Sequence, residues 1–309
     1  MRGDCWDFAR RAAAIAAALL IGAVPAGAAA AADDRGAIVA PARGPAQGPA
    51  VWLIEDGDTR IYLFGLLHRL GTDVPWRSPT LDRAIGEADE LVLELEAAGA
   101  APAPTASALL AEARPLAERV SPDRRDRLDR LIAATPFGPQ AYDNLQSWAA
   151  AVMLLSFAPT DQAAAAAAGT ISIENLLSRT FRGSGRAVTA LETADRQLEI
   201  FSTLSAADQQ LLLEGVIDGT VRGVRGTPEN HRRWASGDLG LLSEASAPMP
   251  QPIYERVYAA RNRAWADWLE RRLDQPGTVL FAVGAGHLAG RESVQELLER
   301  RGLAARRVQ

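Results

Sequence analysis

Residues 279–288, VLFAVGAGHL, decide how this chain is read. A strand-like apolar run ends at Gly284, and His287 follows three residues later. Residues 61–70, IYLFGLLHRL, repeat the pattern with Gly65 and His68. The chain has only three histidines, and two of them hold this one place. A glycine there lets the backbone turn sharply as the strand ends, or lets a ligand approach where a Cβ would clash.

Working outward, residues 51–68, VWLIEDGDTRIYLFGLLH, hold two β-rich runs around EDGD, and Asp-Gly tolerates the positive φ of tight hairpin turns. Ser78 before Pro79 reads as an N-cap with proline at the first helical position, predicting a helix to about Asp89. ELVLELE, residues 90–96, reads as a buried strand whose alternation puts Val92, Glu94 and Glu96 on one face. Residues 97–107 read as a loop and 108–134 as two exposed amphipathic helices. AYDNLQSWAAAVMLLSFAP, residues 141–159, predicts one buried core helix, its apolar run being too short to span a bilayer. A helix over 172–181, a strand over 185–192 and two helices broken near Ser205 follow. The long helix over 252–273 carries Tyr254, Tyr258, Trp265 and Trp268 on one stripe, with Arg261 in its middle. A guanidinium on a buried face needs an anionic partner. The second Gly-x-x-His strand, a helix over 290–302 and an edge strand at 305–309 close the chain. Strands alternating with helices throughout point to an α/β layered fold.

The N-terminus reads MRGDCWDFARRAAAIAAALLIGAVPAGAAAAADD: Arg10 and Arg11, then a short apolar core and small residues suited to cleavage. A signal peptide is expected over 1–31, a Pro/Gly/Ala-rich flexible leader over 32–50 and one domain over 51–309. Pro25 and Gly27 interrupt the apolar run, which argues against an uncleaved membrane anchor. The expected address is therefore the periplasm or the medium, with no integral membrane segment after cleavage. The only cysteine, Cys5, lies inside the signal segment, so the folded domain must be held by its core without disulfides. A net charge of −5 speaks against nucleic acid or an anionic membrane as partner.

In α/β sheets ligands gather at the carboxyl ends of strands, and His68, Glu94, Glu192 and His287 stand at four such ends. If those strands are neighbours, two imidazoles and two carboxylates converge. Two histidines with one carboxylate and an open position can hold a catalytic divalent metal, leaving the second carboxylate as general base. Arg261 would balance the carboxylates or stabilise an oxyanion. Plainer roles are open too: Glu96 can cap a turn, Glu192 can serve the positive end of the following helix, and His231, with nothing at ligand spacing around it, reads as a packing residue.

These residues resemble the TraB/GumN family, which includes the Tiki proteases. YLFGLLHRL is similar to its opening Gly-x-x-His, ADELVLELE to its acidic strand, AVTALETADRQLEIF to its Leu-Glu-Thr with a following Gln, and RWASGDLGLL to its Trp and Gly-Asp segment. RNRAWADWLERRL resembles its Arg-Asn-x-x-Trp helix and VLFAVGAGHLAGRESVQELLERRG its closing signature. The resemblance spans residues 51–309 and implies a mixed central β-sheet flanked by helices, related to the erythromycin-esterase and ChaN-like folds. It also implies that the four strand ends are adjacent. The residues it carries over are His68, Glu94, Glu192, Gln197, Arg261, Asn262 and His287. Two departures stand out: SIENLL has Ser172 and Glu174 where the family reads Gly, apolar, Asp, and Ser147 replaces a frequent proline.

The expected function is an exported hydrolase, a peptidase by resemblance. His68, His287 and one carboxylate, Glu94 or else Glu192, would hold manganese, cobalt or zinc, and the other carboxylate would activate water on a peptide or small-molecule substrate. Two alternatives stay open: hydrolysis without metal, as in erythromycin esterases, and an envelope protein that binds haem, a metal or a peptide without turning it over.

Overall fold

The structure, a computed structural model, describes residues 48–68, 70–95, 114–157, 170–219, 228–240 and 249–309. The expected signal peptide, all but the last three leader residues, the loop over 97–107 and Glu96 lie outside the described residues.

Strands β1 (Val51–Glu55) and β2 (Thr59–Leu66) form the expected antiparallel hairpin. Its turn is made without positive φ. Instead the Asp56 carboxylate accepts the N–H groups of Asp58 and Thr59 at 3.2 and 2.9 Å, an Asx turn in place of a left-handed backbone. After the short β3 (Leu70–Gly71) comes α1 (Pro79–Glu87), where Ser78 Oγ accepts the Leu81 N–H at 3.1 Å, and then β4 (Glu90–Leu95).

The first of the two helices expected over 108–134 does not form among the described residues. Pro115 and Pro122 start single 3-10 turns, and only α2 (Arg125–Ala133) is an α-helix. The helix expected over 141–159 is broken into one turn at Gln140–Asp143 and α3 (Ser147–Phe157). The cause is Arg119, whose guanidinium takes the carbonyls of Asp143 and Leu145 at the break. Next come β5 (Thr170–Ile171), α4 (Ile173–Gly183), β6 (Ala187–Glu192), α5 (Ala194–Ser202), α6 (Ala206–Asp218) and α7 (Pro228–Ala235). Side chains cap three of these helices: Ser172 for α4, Thr193 for α5 and Ser205 for α6. The helix expected over 252–273 runs from Gln251–Tyr254 through a π turn, Glu255–Ala259, into α8 (Ala260–Leu273). Then β7 (Gly277–Gly284), a 3-10 turn at Ala285–Leu288, α9 (Val294–Arg300) and the edge strand β8 (Arg306–Arg307) complete the fold.

The main sheet has the order β6-β4-β7-β2-β1-β8. Its first four strands are mutually parallel, β1 runs antiparallel to them and β8 antiparallel to β1, so the sheet is mixed, and helices flank it. Alternation sends Leu53, Tyr62, Phe64, Leu91, Leu93 and Leu280 to one face, against α1, α4 and Trp234. Trp52, Ile61, Leu63, Val92, Val279 and Phe281 go to the other, against α8 and α9. With both faces covered, the central strands must be continuously apolar, which is why IYLF and VLFAV show no polar alternation. A third cluster joins α2, α3, α5 and α6, with Trp148 through Leu154 buried at its centre as expected for a core helix.

One register fact positions the site. β2 and β7 are adjacent and parallel, with Gly65 opposite Val283 and Leu66 opposite Gly284. The two Gly-x-x-His segments therefore leave the sheet side by side at its carboxyl edge. β4 lies beside β7 with Leu93 opposite Ala282, and beside β6 with Leu95 opposite Glu192. The four strand ends that carry His68, Glu94, Glu192 and His287 are therefore neighbours.

Candidate active site

Two glycines make the convergence possible through space and not through conformation, since neither has a positive φ. A Cβ on Gly65 would lie 3.0 Å from Ala285 Cα and 3.2 Å from Ala285 Cβ, so the first motif is shaped to receive the turn of the second. The Gly65 carbonyl is held by Trp234 Nε1 at 2.7 Å. A Cβ on Gly284 would stand 3.2 Å from Glu94 Oε2, 3.3 Å from His68 Nε2 and 3.7 Å from His287 Cδ2. The bare Cα of Gly284 thus leaves just the room into which Glu94 Oε2 and His68 Nε2 converge.

Arg261 organises the rest. Its Nε and Nη2 donate to the two carboxylate oxygens of Glu192 at 2.7 and 2.8 Å, and Nη2 also donates to Glu94 Oε1 at 2.5 Å. Nη1 donates to the Val257 carbonyl at 2.9 Å and to His287 Nε2 at 3.1 Å. All five N–H donors of the guanidinium are therefore used. The group also lies 4.8 Å from the centre of the Trp265 ring. Val257 belongs to the π turn, an irregularity that often marks functional sites.

His287 is buried, with Tyr258 at 5.0 Å and Trp265 at 4.3 Å between ring centres. A guanidinium can only donate, so His287 Nε2 is the bare nitrogen and Nδ1–H donates to Asn262 Oδ1 at 2.5 Å. Asn262 is oriented by its own donation to the Glu292 carbonyl at 2.7 Å. Burial, reinforced by Arg261, pushes the His287 pKa down to about 3, so the ring is neutral. Glu94 is opposite in character: burial opposes its ionisation, but Arg261 chiefly, with the two imidazoles, holds it well below the usual carboxylate range. Gln197 Nε2 at 3.1 Å and the Gly284 N–H at 3.1 Å complete its hydrogen bonds.

His68 occupies the open side, with its side chain about half exposed. Its Nδ1 meets Glu174 Oε1, and Ser172 steadies the other oxygen of Glu174 at 3.1 Å. Desolvation pulls its pKa down, but the Glu174 carboxylate, aided by Glu94, outweighs this and lifts it to about 9. His68 Nε2, with Nδ1 engaged, is left facing Glu94 Oε2 across Gly284.

The structure thus gathers His68, Glu94, Glu192, Gln197, Arg261, Asn262 and His287, with Gly65 and Gly284 as the packing surfaces between them. Glu174 was missed as a functional residue, although it stands where the resemblance expects an aspartate. His231 is a buried residue of α7 and takes no part. The three donors expected to hold a metal do not share an open point. His287 Nε2 faces Arg261, as do Glu94 Oε1 and both oxygens of Glu192, leaving only His68 Nε2 and Glu94 Oε2. Among the described residues no group of three or more His, Cys, Asp or Glu side chains is placed to hold a metal ion. As arranged, the residues do not fit a three-ligand metal centre.

Among the described residues no helix is long and apolar enough to cross a membrane. Neither a curated protein nor a solved structure matches the chain. The family model described as TraB/PrgY/gumN matches residues 50–307, which takes in both Gly-x-x-His segments and every residue of the site, and the chain belongs to that family.

Proposed function

We propose that the chain is a hydrolase of peptide or other acyl bonds that works by paired acid–base chemistry, without a metal held by three protein ligands. The observation that carries this reading is the placement of His68 Nε2 and Glu94 Oε2 within 3.3 Å of one point above Gly284. Environments that push two titratable groups apart assign their roles: Glu94 is kept ionised and His68 protonated. In the reaction, Glu94 Oε2 takes a proton from water as the oxygen bonds to the acyl carbon. His68 Nε2–H protonates the departing nitrogen or oxygen, and the proton on Glu94 returns through solvent to His68. Arg261 fixes Glu94 and keeps His287 neutral. The expected export signal fits such an enzyme acting outside the cytoplasm.

The test is cleavage of a peptide library and of simple acyl esters by the chelator-treated chain, read by mass spectrometry. His68→Gln and Glu94→Gln are each expected to lower turnover by about 10²–10⁴-fold. Activity lost on chelation and restored by manganese, cobalt or zinc would replace this mechanism with a metal-dependent one. Full activity in His68→Gln would end the acid–base reading.

A further inference from the structure

A groove of about 410 Å³ runs between α5, the end of β6 and α8, and includes Glu192 and Arg261 in its lining. Its volume lies in the range of small-ligand pockets. Around it stand Arg196, Arg256 and Arg271, with Trp265 and Trp268 as its aromatic wall. With Arg261, four arginines meet only two glutamates, Glu192 and Glu199, so the groove is positive on a chain whose net charge is −5.

Two of these arginines are uncommitted. Arg196 is paired with Glu199 at 2.9 Å, but among the described residues the Arg256 guanidinium donates only to the Thr203 hydroxyl at 2.6 Å, with no carboxylate against it. The Arg271 side chain makes no hydrogen bond or ion pair among the described residues. Both are exposed, whereas Arg261 below them is saturated. Arg256 sits in the π turn, on the segment that also presents Tyr258 to His287. Planar guanidinium forks match a carboxylate, and the indole wall favours an apolar, flat body beside it over a bare hydrated anion.

We propose that this groove binds a small acidic ligand in which a carboxylate is joined to an aromatic or apolar body, such as a short acidic peptide. The carboxylate lies against Arg271 and the body against Trp268, its neighbour one turn back on α8, while Arg256, about four turns away along the same helical run, adds positive field from the other end of the groove. This assignment holds whether or not the site at Gly284 hydrolyses the ligand.

Isothermal titration with acetyl-Phe-Glu tests it, alongside the uncharged acetyl-Phe-Gln amide and inorganic phosphate. The acidic dipeptide is expected to bind at least tenfold more tightly than its neutral analogue, and phosphate to compete weakly. The Arg256→Gln/Arg271→Gln double variant should lose at least tenfold in affinity, with an unchanged melting curve showing that it folds. Trp268→Ala should weaken the dipeptide and leave phosphate as it was. No binding of the dipeptide at millimolar concentration, equal affinity in the double variant, or phosphate competing as well as the dipeptide would each overturn the proposal. Repeating the titration on His68→Gln separates the two ideas. Unaltered binding there supports the groove even if no substrate is ever cleaved, whereas binding lost with His68 would place the ligand at the catalytic point and not in the groove.

Discussion

Arg261 and Glu192 meet as a two-bond fork, Nε to Oε1 at 2.7 Å and Nη2 to Oε2 at 2.8 Å, with 11 and 8% of their side chains exposed. The same guanidinium holds Glu94, so removing it leaves buried Glu192 without its cation and Glu94 with the His68 imidazolium alone. Arg261→Met should therefore cost about 3–5 kcal/mol of stability, the usual consequence of breaking a buried ion pair from one side. Arg261→Lys keeps the charge but not the fork, and should recover only part of it. Urea unfolding checks both, and a loss below about 1 kcal/mol for the methionine variant would mean that the pair is not buried as described.

The two motif glycines should fail differently when replaced by alanine. At Gly65 the added methyl meets the Ala285 backbone at 3.0 Å, which cannot yield, so the second motif is displaced and the melting temperature falls; about 1–3 kcal/mol is expected. At Gly284 the methyl fills the point between Glu94 Oε2 and His68 Nε2, both ends of side chains. Gly284→Ala should melt near the parent temperature yet lose catalytic turnover by at least about 10²-fold, as removal of acid–base catalysis does. Equal effects on folding at both positions would show that Gly284 is a packing glycine only.

Much of this was legible in the sequence because strand ends are marked by composition. Apolar runs closed by Gly65 and Gly284 located two central strands, and ELVLELE and GRAVTALE located two more. Their adjacency was not legible, because register between β2 and β7 is set by packing across more than two hundred residues; the family resemblance supplied it. The role of Arg261 was half visible, since an arginine on an aromatic stripe demands an anion but does not say which. That one guanidinium would take His287 Nε2 along with both carboxylates could not be read from spacing. The break at Asn144–Gln146 was hidden for the same reason, because Arg119 is distant in sequence and apolarity alone gives no signal for it.

Stability should depend on pH through both motif histidines, with opposite signs. The folded pKa of His68 is raised to about 9, so its contribution is fully present below its ordinary value near 6.5 and is lost as pH rises through 9. The folded pKa of His287 is depressed to about 3, so on acidification below about 6.5 the unfolded chain takes a proton that the folded one refuses, and stability falls again. From these two groups stability is greatest near pH 6.5, falling to either side. Denaturant unfolding at pH 5, 6.5 and 9.5 measures it. His68→Gln should flatten the alkaline limb and leave the acidic one, and an unchanged alkaline limb in that variant would remove His68 as its cause.

Glu174 provides the sharpest check on the acid role of His68, because it touches Nδ1 and lies away from the open point. With Glu174→Gln the imidazolium loses its main counter-charge, and its titration should move from about 9 toward the ordinary value near 6.5. The alkaline limb of the turnover profile should move with it, since His68 must carry a proton to donate one. Glu174→Asp shortens the arm by one methylene, so it keeps the charge but stretches the contact, and its limb should fall between the other two. Proton NMR of the His68 ring reads the titration directly, without reference to activity. If the ring titrates alike in all three proteins, the Glu174 pairing does not set its charge; if the ring moves but the turnover limb stays, His68 is not the proton donor.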